Sequence, residues 1–94
     1  MLTKENMKYL RALANKERAL FQMGKDGISE NLIMTISDSL EAHELVKISL
    51  LKTAPIDTKE AAQMVAKATR SEIIQVIGHT FVLYRRSKKN KLGL

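Results

Sequence analysis

Four residues near the end of the first quarter of the chain could hold a phosphate. Gly24-Lys25-Asp26-Gly27 sets two glycines around a lysine, between the apolar run Ala19-Leu20-Phe21 and an amphipathic run that starts near Ser29. Where a strand leads into such a loop and a helix leaves it, the first helical amides lack intrahelical acceptors and the helix dipole is positive. An anion is attracted to that terminus. Glycine lets the backbone approach a ligand closely and adopt positive φ, and Lys25 adds a mobile positive charge. Asp26 opposes a phosphate at its own position and is expected to face away or to cap the helix. The simpler alternative is a glycine turn that closes a strand-to-helix connection.

Other chemistries are harder to assemble. The phosphate loops G-x-x-x-x-G-K-[ST] and G-x-G-x-x-G are absent, which counts against a nucleotide-dependent enzyme. A bare G-x-x-G remains, and KH domains use one to clamp the backbone of about four nucleotides. There is no cysteine, so disulfides, thiol nucleophiles and thiolate metal sites are excluded. His43 and His79 lie far apart without a partner at ligand spacing, so no metal and no cofactor is expected. No Ser/His/Asp set can be built from spacing, and an enzyme is not expected. Phe81 and Tyr84 could stack on bases, although Phe81 fits an apolar strand core better. The methionines are expected to fill the core.

Charge points in one direction. The 94 residues carry a formal net charge of +6, and five of the bases lie within residues 85–94: Arg85, Arg86, Lys88, Lys89 and Lys91, with no acid. A basic chain of this kind most often meets a polyanion; the bland alternative is a solubilising tail. The length suits one domain. Its expected extent is residues 1–86, followed by a basic, frayed tail over 87–94. The N-terminus lacks the apolar centre of a signal peptide, and no apolar stretch approaches the roughly 18 residues of a membrane span. The expected location is the cytoplasm, away from membranes.

The elements that must position these residues follow from periodicity. Thr3 caps a helix over about 3–16, with Met7, Leu10, Leu13 and Ala14 on one face. Residues 19–23 suit a short strand. Ser29 precedes a helix over about 30–43 with an apolar stripe of Leu32, Ile33, Ile36 and Leu40, and Ile28 as a staple. Residues 45–52 alternate as a strand with Val46, Ile48 and Leu50 inward. Asp57 or Thr58 caps a helix over about 58–70, with Ala61, Met64, Val65 and Ala68 as its stripe. Residues 72–77 and 80–86 form a hairpin around Gly78-His79. The order α-β-α-β-α-β-β implies an α/β fold with a right-handed parallel βαβ crossover and a mixed sheet.

Several segments together resemble one known family: "LRALA" (10–14), "FQMGKDGIS" (21–29), "LEAHELVKISLL" (40–51), "ATRSEIIQVIG" (68–78) and "VLYRRSK" (82–88). In order and spacing they are similar to a single CRM domain (chloroplast RNA splicing and ribosome maturation) of the bacterial YhbY type, over almost the whole chain. That resemblance implies a four-stranded mixed sheet with helices, like the C-terminal domain of translation initiation factor three. It implies RNA binding, with bacterial single-domain relatives associating with large-subunit ribosomal precursors. The family's loop would be carried by Gly24, Lys25, Asp26 and Gly27, and its basic strand terminus by Tyr84 and Arg85. Two positions depart from the pattern: many relatives have a proline before the first strand, and many bacterial ones have glycine where Asp26 stands.

The expectation is therefore a non-catalytic RNA-binding protein that meets ribosomal RNA of the large-subunit precursor. Lys25 and the loop amides would hold the backbone; Lys4, Lys8, Arg11, Arg85, Arg86, Lys88 and Lys89 would extend the charged surface. The rival expectation is a protein-interaction module that binds a ribosomal protein or an assembly GTPase.

Overall fold

Three capped helices and four short strands account for most of the chain in the computed structural model, which describes residues 2–94. Helix α1 runs Lys4–Lys16, and the Thr3 hydroxyl accepts the Asn6 amide at 3.0 Å. Helix α2 runs Glu30–His43, and the Ser29 hydroxyl accepts the Leu32 amide at 3.1 Å. Helix α3 runs Thr58–Thr69; Asp57 caps it by accepting the Glu60 amide at 2.8 Å. Each cap satisfies an amide that the helix itself cannot.

The strands are β1 Phe21–Met23, β2 Leu45–Leu50, β3 Glu72–Ile77 and β4 Thr80–Tyr84, in the spatial order β1-β2-β4-β3. β1 pairs parallel with β2, and β4 pairs antiparallel with both β2 and β3. The mixed sheet and its βαβ unit match the expectation. β1 is shorter than expected, and Leu20 before it is exposed. Gly78 opens the β3–β4 turn at φ +57, a conformation that glycine adopts without a Cβ penalty.

Helices cover both faces of the sheet. On one face α2 and α3 meet Met23, Val46, Ile48, Leu50, Phe81 and Leu83 through Ile36, Leu40, Ala61, Ala62, Val65 and Ala66. On the other, α1 lays Leu10 and Ala14 against Ile74, Val82 and Tyr84. β4 is central, so alternate side chains from it enter both layers.

Three expectations are corrected. The buried stripe of α3 is Ala61, Ala62, Val65, Ala66 and Thr69, whereas Met64 and Ala68 are exposed. The small side chains face the sheet, which brings the helix axis close and turns the bulky Met64 outward. Met34 is exposed as well, so the methionines do not all serve the core. Finally, residues from Ser87 onward are not frayed: Ser87 is buried, and Leu92 and Leu94 pack beside the α1 layer.

Candidate nucleic-acid interface

The loop at residues 24–27 is a hydrogen-bonded turn: the Gly27 amide donates to the Gly24 carbonyl at 3.0 Å, and both central residues have negative φ. That is type I geometry with glycine at its last position. Gly27 adopts φ +63, and a Cβ there would lie 3.1 Å from the Pro55 Cγ. Positive φ and close approach both require glycine. Gly27→Ala is expected to cost about 1–2 kcal/mol from the left-handed backbone alone, read as a lower urea midpoint at unchanged m-value.

Strand polarity decides what surrounds this loop. β1 and β2 end side by side, with Met23 opposite Leu50, and the β3–β4 turn returns to the same end, where the Leu50 amide donates to the His79 carbonyl at 2.6 Å. Lys25, Asp26, Lys52 and His79 are exposed there, and α2 and α3 both begin there. The acids Asp26, Glu30, Asp57 and Glu60 share this end with Lys25, Lys52 and Lys59. Any anion held here would therefore meet amides and dipoles rather than a surplus of charge.

The structure does not bring the expected site residues into one patch. Tyr84, Arg85 and Arg86 lie at the opposite end of β4, about 15–20 Å from the loop at 3.3 Å per strand residue. Tyr84 is 4% exposed, so no ring face is offered to a base. Arg85 faces inward. Its guanidinium donates to the Ser37 carbonyl (2.7 Å), the Ser37 hydroxyl (3.0 Å) and the Thr69 carbonyl (2.9 Å), and lies 3.9 Å from a Glu41 oxygen. It ties α2, the end of α3 and β4 together. Arg85 is thus corrected from a contact residue to a structural one, and the Tyr84 ring from a stacking face to part of the packed layer.

A residue that the sequence reading did not single out organises this end. Glu44 follows α2 at φ 68 and is fully buried. Its carboxylate accepts the Ser87 amide (2.6 Å), the Ser87 hydroxyl (2.7 Å) and the Leu92 amide (2.7 Å). Burial alone would raise its pKa. The donors of Ser87, Leu92 and Lys91 outweigh that and hold it below the usual 4.5. A Glu41 oxygen takes the Lys88 amide, and the Lys91 ammonium donates to the Ala42 carbonyl. The signal for Glu44 was present: an acid directly after a helix, with a basic segment downstream that carries no acid of its own.

The exposed bases concentrate on α1 and on this second end. Lys4, Lys8 and Arg11 fall at i, i+4 and i+7, one stripe of α1, and the Arg11 Nε donates to the Ile74 carbonyl of β3 at 3.5 Å. Arg70, Arg86, Lys88 and Lys89 are exposed beyond the strand ends. Arg70 was not anticipated. Among the described residues no group of three or more His, Asp or Glu gathers as metal ligands, and no helix is long and apolar enough to cross a membrane.

Comparison with known proteins agrees with this architecture. The CRS1/YhbY (CRM) domain model matches residues 2–85. The probable RNA-binding protein YqeI of Bacillus subtilis is 42% identical over 91 residues, covering 97% of this chain and 95% of that protein. An RNA-binding protein of Haemophilus influenzae is 32% identical, covering 99% of this chain and 94% of its own length. The solution structure of SAV1595 from Staphylococcus aureus superposes with a TM-score of 0.81 at 49% identity, covering 98% of this chain and 96% of that one. With the family model spanning nearly every residue and relatives this similar along their whole length, the chain belongs to the CRS1/YhbY (CRM) domain family.

Proposed function

We propose that the protein binds RNA without catalysing a reaction on it, and that its target is ribosomal RNA of a large-subunit precursor. The observation that carries the reading is the concentration of exposed bases on α1 (Lys4, Lys8, Arg11) and beyond the strand ends (Arg70, Arg86, Lys88, Lys89), in a chain whose relatives are named for RNA binding. Phosphate contacts of this kind position an RNA without reading its sequence. The Gly24–Gly27 turn supplies a second contact at the far end of the sheet, through Lys25 and the loop amides, with Asp26 turned away. An RNA that touches both must run the length of the domain, so structured RNA suits it better than a short single strand.

The test is a titration of ribosomal RNA fragments at several salt concentrations. Lys25→Ala should weaken binding about 3–10-fold and lower the salt slope by about 1. Asp26→Gly should tighten binding, and a weaker Asp26→Gly variant would mean that the acid side chain supports the contact. Crosslinking in cells followed by sequencing of the attached RNA checks the target; reads scattered outside large-subunit ribosomal RNA would overturn that part.

One feature favours a second reading, in which the partner is a ribosomal protein or an assembly GTPase. Ile28, Ile33, Met34 and Ala68 line an apolar groove between α2 and α3, with Met34 62% exposed. Partners that stay bound after nuclease treatment would support it; partners lost with the RNA would not.

A further inference from the structure

A cavity of about 410 Å³ opens at the sheet end opposite the glycine turn, where α1 begins, α3 ends and β4 leaves the sheet. Its volume falls in the roughly 300–1,000 Å³ range of small-ligand sites. Arg70, Arg85, Arg86, Glu72, Tyr84 and Asn6 line it. Arg85 is already committed to Ser37, Thr69 and Glu41 and serves as wall. Arg70 and Arg86 have no hydrogen-bonded or ion-pair partner among the described residues, so their guanidinium donors are free on a wall that also carries Glu72 and Leu94.

Two further details mark it as built for an anion. The Tyr84 hydroxyl is buried and makes no hydrogen bond among the described residues. A buried hydroxyl without a partner is costly, and a ligand acceptor would satisfy it. Burial raises its pKa above 10.0, with Glu44 and Glu72 adding to the rise and Arg86 opposing it, so the hydroxyl is a proton donor at neutral pH. Arg70 stands just after α3 at φ 57, ψ 41, where glycine is the ordinary residue. The arginine there is exposed and lines the cavity despite the left-handed penalty.

We propose that this cavity is a phosphate subsite, in which Arg70, Arg86 and the Tyr84 hydroxyl together take one phosphodiester group of the bound RNA. Guanidinium groups match phosphate oxygens by bidentate donation, and the phenol supplies a third donor from below. The first turn of α1 closes one side of the cavity, since Asn6 lines it. The subsite rests on the reading that the protein binds RNA, and it places the strongest charge-led contact away from the glycine turn.

Three substitutions test it without threatening the fold. Arg70→Gly removes the guanidinium and relieves the positive φ. Arg86→Gln removes an exposed charge. Tyr84→Phe deletes a hydroxyl that has no internal partner, and its Tm should match or exceed that of the wild type. The two arginine variants are compared with Lys59→Gln, an equal charge loss at the far end of the sheet, and Tyr84→Phe, which loses no charge, with the wild type as well, in titrations of one ribosomal RNA fragment at fixed salt. The expected result is a loss of about 10-fold for Arg70→Gly and Arg86→Gln, and about 3-fold for Tyr84→Phe, all exceeding that of Lys59→Gln. Inorganic phosphate and a dinucleotide monophosphate should shift the NMR Nε–Hε signals of Arg70 and Arg86 in the wild type. If the RNA binds and all four variants bind alike, the subsite is wrong while RNA binding stands. If no RNA binds yet phosphate moves both arginine signals, the subsite survives and its ligand is a free phosphate. Unmoved signals with both probes overturn it.

Discussion

Replacing Glu44 by alanine should lower stability by about 3–5 kcal/mol and drop Tm by more than about 10 °C. The carboxylate is fully buried and accepts from the Ser87 amide, the Ser87 hydroxyl and the Leu92 amide at 2.6–2.7 Å. Hydrogen bonds to a charged group contribute about 1.5–3 kcal/mol each, and donors left buried without an acceptor add a desolvation cost. For a domain of this size each kcal/mol is worth about 4–8 °C in Tm. Backbone strain does not confuse the comparison, since alanine meets the same positive φ as glutamate.

The same carboxylate sets a pH dependence. Its folded pKa lies below 4.5, because its donors outweigh its burial. A carboxylate whose folded pKa is depressed stabilises the fold above its unfolded pKa, and that contribution fades as pH falls through the folded value. The stability advantage of the wild type over Glu44→Gln should therefore be full at neutral pH and shrink below about pH 4.5. Below that range residues 87–94 should become accessible to protease before the sheet unfolds. Chemical denaturation of both proteins between pH 3 and 7 measures this, and a pH-independent gap would mean that Glu44 is not the titrating group.

Arg85→Ala should cost about 2–3 kcal/mol while leaving RNA affinity within about two-fold of the wild type, measured well below its Tm. The guanidinium spans the Ser37 carbonyl, the Ser37 hydroxyl and the Thr69 carbonyl, and so holds the outer helix pair to β4. Its side chain is 21% exposed, so water partly replaces the lost donors and the cost is less than for Glu44. Lysine cannot reproduce three donors at fixed angles, and Arg85→Lys should recover less than half of the loss. A variant that keeps its Tm but loses RNA would reverse the assignment and return Arg85 to the contact surface. Arg86, one residue on, is the contrast: it is exposed, and its loss should leave Tm unchanged.

Those adjacent arginines illustrate where sequence reading succeeds and where it stops. Element type and order were legible, because the caps at Thr3, Ser29 and Asp57 and the periodicities around them are local signals. The alternation Val46-Ile48-Leu50 named the inward face of β2, and Gly78-His79 named the hairpin. The turn at Gly24–Gly27 was legible as a turn between strand and helix for the same reason. The third helix was misread by one residue step, since alanine and methionine are both apolar and only contact with the sheet selects the small side chains.

By itself the sequence determined the helices, the strands, the excess of base and the absence of cysteine chemistry, all properties set by neighbours along the chain. Only the tertiary structure decided which charges are free. It put the glycine turn and the Tyr84-Arg85-Arg86 terminus at opposite ends of one sheet, because β4 runs antiparallel to β2. It turned Arg85 inward and left Arg86 out. It paired Glu44 with a segment 43 residues away and so docked residues that composition alone would leave loose. Such pairings depend on how strands align across the sheet, and no spacing along the chain encodes them.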